Sequence, residues 1–298
     1  LDFKIMQGNS LLEQYKGVDL STMTEKKIGA GESLTFFDSM LDVYRKNLRD
    51  KLTEYYACPE HDKKMQLRKD IADIVKQELV EQGIHIDFED MDLSANSQFF
   101  LWHTWFHDVF SRPSKEGFDI VIGNPPYGAK YDNQTKRYYK NTYVTANSIR
   151  GLQKGSLDTY TLFIELGYNL LRKNGSFAYI VPISLTSSDS LTGVHRFLMG
   201  NCDTIYISSY AVRPKPVFEN AVVNTSILLF KKTETPCQYL FSTKMHRRGN
   251  EFESKKKIID ALNIYNLGYI VMFLGFILSF FEKDFSYLLI PVSYFIWD

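Results

Sequence analysis

The sequence predicts an α/β fold, and three patterns support that prediction. A run of apolar residues, FDIVIG (118–123), stops abruptly at an Asn-Pro-Pro-Tyr turn, which is typical of a buried strand. A helical pattern over 157–175 leads directly into a second apolar stretch, SFAYIVP (176–182). A further helical stretch precedes TIYISSY (204–210) and NTSILLFKK (224–232). Helices that alternate with strands indicate an α/β sheet, and we expect its last two strands to be antiparallel.

Composition excludes several classes of protein. Of 298 residues, 44% are apolar and 23% are charged, which is ordinary globular usage and excludes a disordered or fibrous chain. Three cysteines (Cys58, Cys202 and Cys237) stand far apart, so neither a disulfide scaffold nor a thiolate zinc site is expected. Lys and Arg balance Asp and Glu at 35 each, so a polyanionic partner must be bound by a local patch.

The first third of the chain contains a strand pattern and then a helical pattern. DFKIMQ is typical of a short strand that ends at a Gly-Asn-Ser turn around Asn9. From 33 to 83, apolar residues recur at helical spacing and are interrupted at Cys58-Pro59, which predicts a helical hairpin. The amino terminus has no signal-peptide pattern and no initiating Met. We therefore expect a cytoplasmic protein whose chain begins inside a larger one.

An aromatic stretch and a polar stretch lie on either side of the Asn-Pro-Pro-Tyr turn. In FFLWHTWFHDVF (99–110), His103 and His107 have the spacing of a zinc-binding helix, but Thr104 stands where the catalytic Glu would be. A packed helix is the better interpretation, and no metal is expected. Residues 130–155 are polar and rich in Tyr and Lys, which indicates a mobile loop with basic residues.

The segment after Asn266 has a different composition. Its apolar run, LGYIVMFLGFILSFF, is shorter than the roughly 18 residues of a membrane span, and it lacks polar periodicity. A buried terminal segment, a marginal membrane anchor and a stretch translated out of frame remain as alternatives. No membrane partner is expected.

The turn itself can bind a planar amine. Pro125 and Pro126 fix two φ angles and push Asn124 into an extended conformation, so the edge is rigid. It presents the Asn124 amide oxygen, the Pro125 carbonyl and the aromatic face of Tyr127. Two acceptors beside a ring suit an exocyclic amine, which donates two hydrogen bonds while its base stacks. Holding both N–H bonds draws the nitrogen towards sp³ and directs its lone pair at an electrophile.

FDIVIGNPPYG resembles motif IV of the amino-group DNA methyltransferases of the N6-adenine type, which use S-adenosylmethionine. DFKIMQGNSLL resembles motif III, which implies that Asn9 reaches the adenine of the cofactor. SLDTYTLFIELGYNLLRKNGSFAYIVP resembles motifs V and VI. KPVFENAVVNTSILLFKK resembles motif VIII, which implies that Phe218 packs on the flipped target base opposite Tyr127. The long insertion and the aromatic element before the turn resemble the type IIG restriction-modification enzymes.

The resemblance implies a partial Rossmann-like S-adenosylmethionine-dependent methyltransferase sheet with a helical insertion. Residues 1–235 would form the carboxyl-terminal part of the catalytic domain, with 21–98 as the insertion and 236–298 as a linker and apolar tail. The partner would be double-stranded DNA with a flipped adenine, in a restriction-modification system. The implied roles are catalysis by Asn124, Pro125 and Tyr127, cofactor binding by Asn9, Asn124 and Pro126, and substrate binding by Phe218, Lys130 and Arg137.

Two motifs of that family do not precede motif III here. Motif I, the glycine-rich loop, and motif II, the ribose-binding acid, supply most polar contacts to the cofactor, so we expect the 298-residue chain to bind S-adenosylmethionine poorly and to be inactive alone. Two alternatives remain open. One is an amine methyltransferase that acts on protein glutamine or RNA guanine, and the other is a non-catalytic DNA-binding fragment.

Overall fold

A computed structural model describes residues 6–15, 18–20, 36–81, 83–84, 92–93, 96, 98–128, 130–147, 157–214, 216–218 and 222–247. The chain divides into two compact units, Leu1–Ser114 and Lys115–Asp298. No helix within the described ranges is long and apolar enough to cross a membrane. The apolar tail after Asn266 and most of the predicted DFKIMQ strand lie outside those ranges.

Two long helices dominate the first unit. Helix α1 spans Phe36–Ala57 and helix α2 spans His61–Glu81, so the predicted break at Cys58-Pro59 is confirmed. The two helices pack on each other. Helix α2 buries one residue per turn along a single stripe, as the apolar periodicity of the sequence indicates. The stripe consists of Leu67, Ile71, Val75 and Leu79.

Short elements complete this unit. Strand β1 (Gln14–Tyr15) pairs with β2 (Val18–Asp19) in an antiparallel ladder. The aromatic stretch predicted as one packed helix forms two, α3 (Trp102–Trp105) and α4 (His107–Phe110). Trp102 is buried, and its Nε1 donates to the backbone oxygen of Ser10 at 3.0 Å.

The second unit is built on a five-stranded mixed sheet. Its strands pair in the order β3-β4-β6-β5-β7, with β3/β4 and β5/β7 parallel and β4/β6 and β5/β6 antiparallel. The predicted α/β fold and its antiparallel last pair are confirmed. β7 extends the sheet beyond the predicted boundary at 235. The strands are β3 (Phe118–Gly123), β4 (Leu171–Pro182), β5 (Thr204–Tyr210), β6 (Thr225–Lys231) and β7 (Tyr239–Ser242).

The described part of the second unit also contains four helices. They are α5 (Asn133–Thr142), α6 (Thr159–Leu170), α7 (Ser184–Ser187) and α8 (Thr192–Asn201), with 3₁₀ turns at Val144–Ala146 and Asp189–Leu191. α6 packs most closely on β3 and β4. Gly167 permits that approach, because a Cβ there would lie 2.6 Å from Cε2 of Phe177. The Phe177 ring in turn stacks on Phe230 at 4.3 Å.

Helix α6 is shorter than the sequence indicates. The predicted helix over 157–175 ends at Leu170, and the following residues begin β4. Asn174 has a φ of 62°, and its backbone N–H donates to the backbone oxygen of Lys232, the residue after β6. Pairing with β6 therefore places these residues in β4 and not in the helix. Asp158 occupies the N-cap position, but its side chain makes no capping hydrogen bond to the described first turn.

The prediction of a mobile loop over 130–155 is wrong for the first half of that range. Residues 133–142 form α5, and 148–156 lie outside the described residues. The Asp132 carboxylate caps the helix by accepting from the backbone N–H groups of Gln134 and Thr135 at 2.8 and 2.9 Å. Tyr139 is fully buried beneath it. A cap and one buried ring therefore order a segment whose composition is polar.

Candidate active site

The Asn-Pro-Pro-Tyr turn lies at the edge of the sheet where parallel strands end. It follows β3 directly, and β3 runs parallel to β4. Because β4 and β5 are both antiparallel to β6, the pairs Pro182–Thr225 and Tyr210–Thr225 lie at that same edge. Open α/β sheets bind ligands outside the carboxyl ends of their strands. The turn therefore stands where this architecture places ligands.

Burial within the turn alternates. Pro125 is buried and anchors the turn, whereas Asn124 and Pro126 on either side of it are exposed. Tyr127 is half-buried. Two consecutive prolines with one buried leave little backbone freedom. The Asn124 amide is thus presented to a ligand from a rigid support.

The hydroxyl of Tyr127 reaches back to Asn124. Its oxygen lies 2.8 Å from Oδ1 of Asn124 and 3.1 Å from the backbone oxygen of Ile180 in β4, and both can accept its proton. Burial raises the pKa of the Tyr127 hydroxyl, and the nearby Tyr160 raises it further. The hydroxyl therefore stays protonated over the physiological pH range and acts as a donor.

Tyr160 supports the turn from the first turn of α6. Its ring meets that of Tyr127 edge-on, with centroids 6.2 Å apart at 86°. The Tyr160 hydroxyl lies 2.9 Å from Oγ of Ser184, so the ring is fixed at both ends. Only 1% of Tyr160 is exposed. The sequence alone does not point to Tyr160, because an aromatic residue in a helix pattern indicates core and no neighbouring residue connects it to the turn.

Phe218 lies at the same sheet edge as Tyr127. It is half-buried and belongs to the connection between β5 and β6. Its neighbour Val217 packs against the cluster of Tyr210, Ile227 and Leu229, and Ile180 packs against that cluster too. The carbonyl of Ile180 is the one that accepts from Tyr127. Strand pairing thus brings the two predicted base-stacking residues to one edge.

Helix α5 carries basic residues next to the turn. Lys136, Arg137 and Lys140 are all exposed on it, and Lys130 is exposed just before it. The carboxylate of Glu165, which is 4% exposed, accepts from the backbone N–H groups of the following 3₁₀ turn at 3.0 and 2.8 Å. The helix is therefore anchored at both ends, by its cap and by this carboxylate.

Asn9 belongs to the other unit. Its Oδ1 accepts from the backbone N–H of Leu11 at 3.3 Å, which orders the turn after Gln7. Its cofactor role stays a prediction, whereas Asn124 and Pro126 are exposed as a cofactor contact requires. Within the described ranges, no group of three or more His, Cys, Asp or Glu residues is placed to hold a metal ion.

Two known proteins resemble part of this chain. The Type II methyltransferase M.TthHB8I of Thermus thermophilus is 29% identical over 162 residues, which cover 50% of this chain and 33% of that protein. The Type II restriction enzyme and methyltransferase RM.Eco57I of Escherichia coli is 30% identical over 124 residues, which cover 39% of this chain and 11% of that protein. The chain thus spans a third or less of the length of these two relatives.

Solved structures give weaker matches. The DrdV–DNA complex is 18% identical with a TM-score of 0.33, and it covers 42% of this chain and 14% of that one. The ATP-dependent Type ISP restriction-modification enzyme LlaBIII bound to DNA is 12% identical with a TM-score of 0.36, and it covers 61% and 14%.

A family model settles the assignment. The model of the Eco57I restriction-modification methylase matches residues 20–218, which is more than half of the chain. The matched region includes the helical pair, the Asn-Pro-Pro-Tyr turn and Phe218, and it leaves Asn9 outside. The chain belongs to the Eco57I restriction-modification methylase family.

Proposed function

We propose that this chain takes part in methyl transfer from S-adenosylmethionine to the N6 amine of adenine in double-stranded DNA, within a restriction-modification system. The observation that carries the proposal is the Asn124–Tyr127 pair, in which a protonated, partly buried hydroxyl holds an exposed amide oxygen at the ligand-binding edge. Family membership and the resemblance of the turn to motif IV support the same reaction. This function goes with a cytoplasmic location, where host DNA lies.

The turn would activate a weakly nucleophilic amine. An amide oxygen has two lone pairs, so Oδ1 of Asn124 can accept from Tyr127 and still accept one N–H of the target amine. The carbonyl of Pro125 would accept the other N–H. With both N–H bonds held, the nitrogen lone pair points away from the turn. When bound, S-adenosylmethionine would supply the methyl group and leave as S-adenosylhomocysteine. The positive charge on the methylated nitrogen would be lost by release of one proton to water, so no strong base is needed.

The target adenine must leave the duplex to reach this turn. Base flipping costs a few kcal/mol, which a stacking pocket offsets. Tyr127 and Phe218 are placed at one edge to supply that pocket, and base–aromatic stacking contributes about 1–3 kcal/mol per base. Because Tyr127 is tied to Asn124, its ring and the amide acceptor would bind one base together.

The basic residues would hold the DNA backbone beside the turn. Lys130 and Arg137 were predicted from the sequence, and α5 adds Lys136 and Lys140 as exposed cations. Because the backbone of this helix is already anchored, its positive side chains would neutralise phosphates without first ordering the helix. These contacts carry no base specificity.

Product analysis tests the proposal. The full-length protein that contains this chain is incubated with duplex DNA and methyl-labelled S-adenosylmethionine, and the DNA is digested to nucleosides. We expect the label in N6-methyladenine and far less of it with the Asn124→Ala variant. Label in cytosine, in RNA guanine or in protein glutamine would assign a different substrate, and no transfer to any of them would support the non-catalytic alternative.

A further inference from the structure

A groove of about 600 Å³ opens at the sheet edge on the side away from β3. It lies where β5 ends and β6 begins, and its lining includes Arg213, Asn224, Met245 and Arg247. Both arginines are exposed. No Asp or Glu is among the described residues that line it. The described lining of the groove therefore carries two cationic side chains and no carboxylate, although the whole chain has balanced charge.

Backbone hydrogen bonds hold the walls of this groove. Just before Arg213, the N–H of Val212 donates to Oδ1 of Asn224 at 2.8 Å. Just before Arg247, His246 bridges to the end of β5, where its N–H donates to Ser209 at 2.8 Å. The groove is therefore shaped before any ligand binds, and its two guanidinium groups extend from positions that backbone pairing fixes.

A further hydrogen bond of Asn224 connects the groove to the candidate active site. The backbone oxygen of Asn224 accepts from the N–H of Ile183 at 2.9 Å, directly after β4. β4 is also the strand whose Ile180 carbonyl accepts from Tyr127. Since neighbouring strands lie about 4.8 Å apart, three strand spacings separate β5 from β3 by about 14 Å across the sheet. One strand of DNA carries a phosphate about every 3.4 Å along the helix axis, so a separation of this size spans a few nucleotides.

We propose that Arg213 and Arg247 bind the phosphodiester backbone of DNA a few nucleotides from the base at the Asn-Pro-Pro-Tyr turn. This inference rests on the proposed function. A planar guanidinium matches two phosphate oxygens at once, so arginine is suited to this contact. The apolar remainder of the lining, with Met245, suits the sugar between phosphates. The groove would thus fix the register of the strand while the turn holds the extruded base.

Salt dependence of DNA binding tests this assignment. The dissociation constant of the full chain for a fluorescently labelled duplex of random sequence is measured at several salt concentrations, without S-adenosylmethionine. Arg213→Gln and Arg247→Gln each remove one exposed cation from the groove. We expect each variant to lower the slope of log K against log salt by about 0.9, and the double variant by about 1.8. Arg196→Gln, which removes an exposed cation from α8, is the matched control and leaves the slope unchanged.

Three results would overturn the assignment. The first is a slope in both groove variants equal to that of the parent chain, and the second is an equal fall in Arg196→Gln. The third comes from inorganic phosphate titrated at constant ionic strength: groove-dependent phosphate binding with an unchanged DNA slope would identify a site for free phosphate. Because methyl transfer is not measured here, a failure of the proposed adenine methylation leaves these slopes unaffected and is distinguishable.

Discussion

The hydroxyl of Tyr127 donates to Oδ1 of Asn124 across 2.8 Å, so the aromatic residue of the turn orients its amide. An Asn side chain can present either oxygen or nitrogen to a ligand, and the phenol proton selects the oxygen. The same hydroxyl is also within reach of a carbonyl in β4, which ties both residues to the sheet. The turn is therefore arranged as an acceptor before any substrate arrives.

Loss of the Asn124 amide should stop turnover without releasing DNA. Removing one preorganised hydrogen-bonding group costs on the order of 100- to 1000-fold in rate. If Asn124 acts only on the transition state, Asn124→Ala keeps DNA affinity within about threefold. Single-turnover methylation by the full-length protein, beside equilibrium DNA binding, measures both. Asn169→Ala, at an exposed position late in α6, is the control. A large loss of affinity in Asn124→Ala would contradict a role confined to the transition state.

Two substitutions of Tyr127 should distinguish the contribution of its ring from that of its hydroxyl. Tyr127→Phe keeps the stacking surface and loses one hydrogen bond, whose net worth of about 0.5–1.5 kcal/mol corresponds to roughly a 2- to 10-fold slower reaction. Tyr127→Ala also loses stacking, so base flipping weakens. 2-Aminopurine fluorescence at the target position reports flipping. Equal rates for Tyr127→Phe and the parent would show that the hydroxyl does not position Asn124, and a rate as low as that of Asn124→Ala would give it a chemical role.

The carboxylate of Glu165 should contribute strongly to the stability of the second unit. It is buried and accepts from the N–H groups of Val144 and Thr145. Glu165→Ala leaves both donors without their acceptor, at about 1–3 kcal/mol for each buried group. Urea unfolding should therefore give a free energy lower by about 2–6 kcal/mol, whereas exposed Glu116→Ala changes little. Glu165→Gln retains an acceptor oxygen and should recover part of the loss. An unchanged midpoint in Glu165→Ala would contradict this anchoring role.

Stability of the first unit should depend on pH through Glu78. Burial raises the pKa of this carboxyl to about 7. The positive charge of Arg45, whose Nε lies 3.7 Å from Oε1 of Glu78, lowers the pKa but does not offset the effect of burial. Because the folded state holds the proton more tightly than the unfolded one, the free energy of unfolding falls as pH rises from about 4.5 to about 7. The total fall is on the order of 3 kcal/mol. Glu78→Gln should flatten this dependence, and exposed Glu81→Gln should preserve it. A parent chain whose unfolding free energy is constant over that range would contradict the raised pKa.

The spacing of apolar residues and the positions of helix-breaking residues were sufficient to predict the larger elements. The stripe from Leu67 to Leu79 has helical spacing, and Cys58-Pro59 marks the break before it. The apolar run before Asn124 predicts β3, because a strand buried in a parallel pair has no polar face. These signals are local, so a single sequence contains them.

Long-range contacts determined what the sequence did not predict. α5 is polar, and its order depends on the buried Tyr139 and on Glu165, more than 20 residues away from its centre. Tyr160 belongs to the candidate site because α6 packs beneath the turn. No residue close to it in the sequence indicates this contact. The short strand β7 is exposed and gains its conformation by pairing with β5. Such elements depend on tertiary partners, which override local preference.

The close packing of α6 on the sheet at Gly167 affects the geometry of the candidate active site. A Cβ there would lie 2.6 Å from Phe177 and 3.2 Å from Cγ1 of Val121, so any side chain would push α6 away from the sheet. The same rigid helix carries Tyr160 at its other end, against Tyr127. A lifted helix would shift that ring and tilt the acceptor pair. A substitution at Gly167, remote from the reacting atoms, would then lower the reaction rate as a substitution in the active site would. The strands themselves would remain paired.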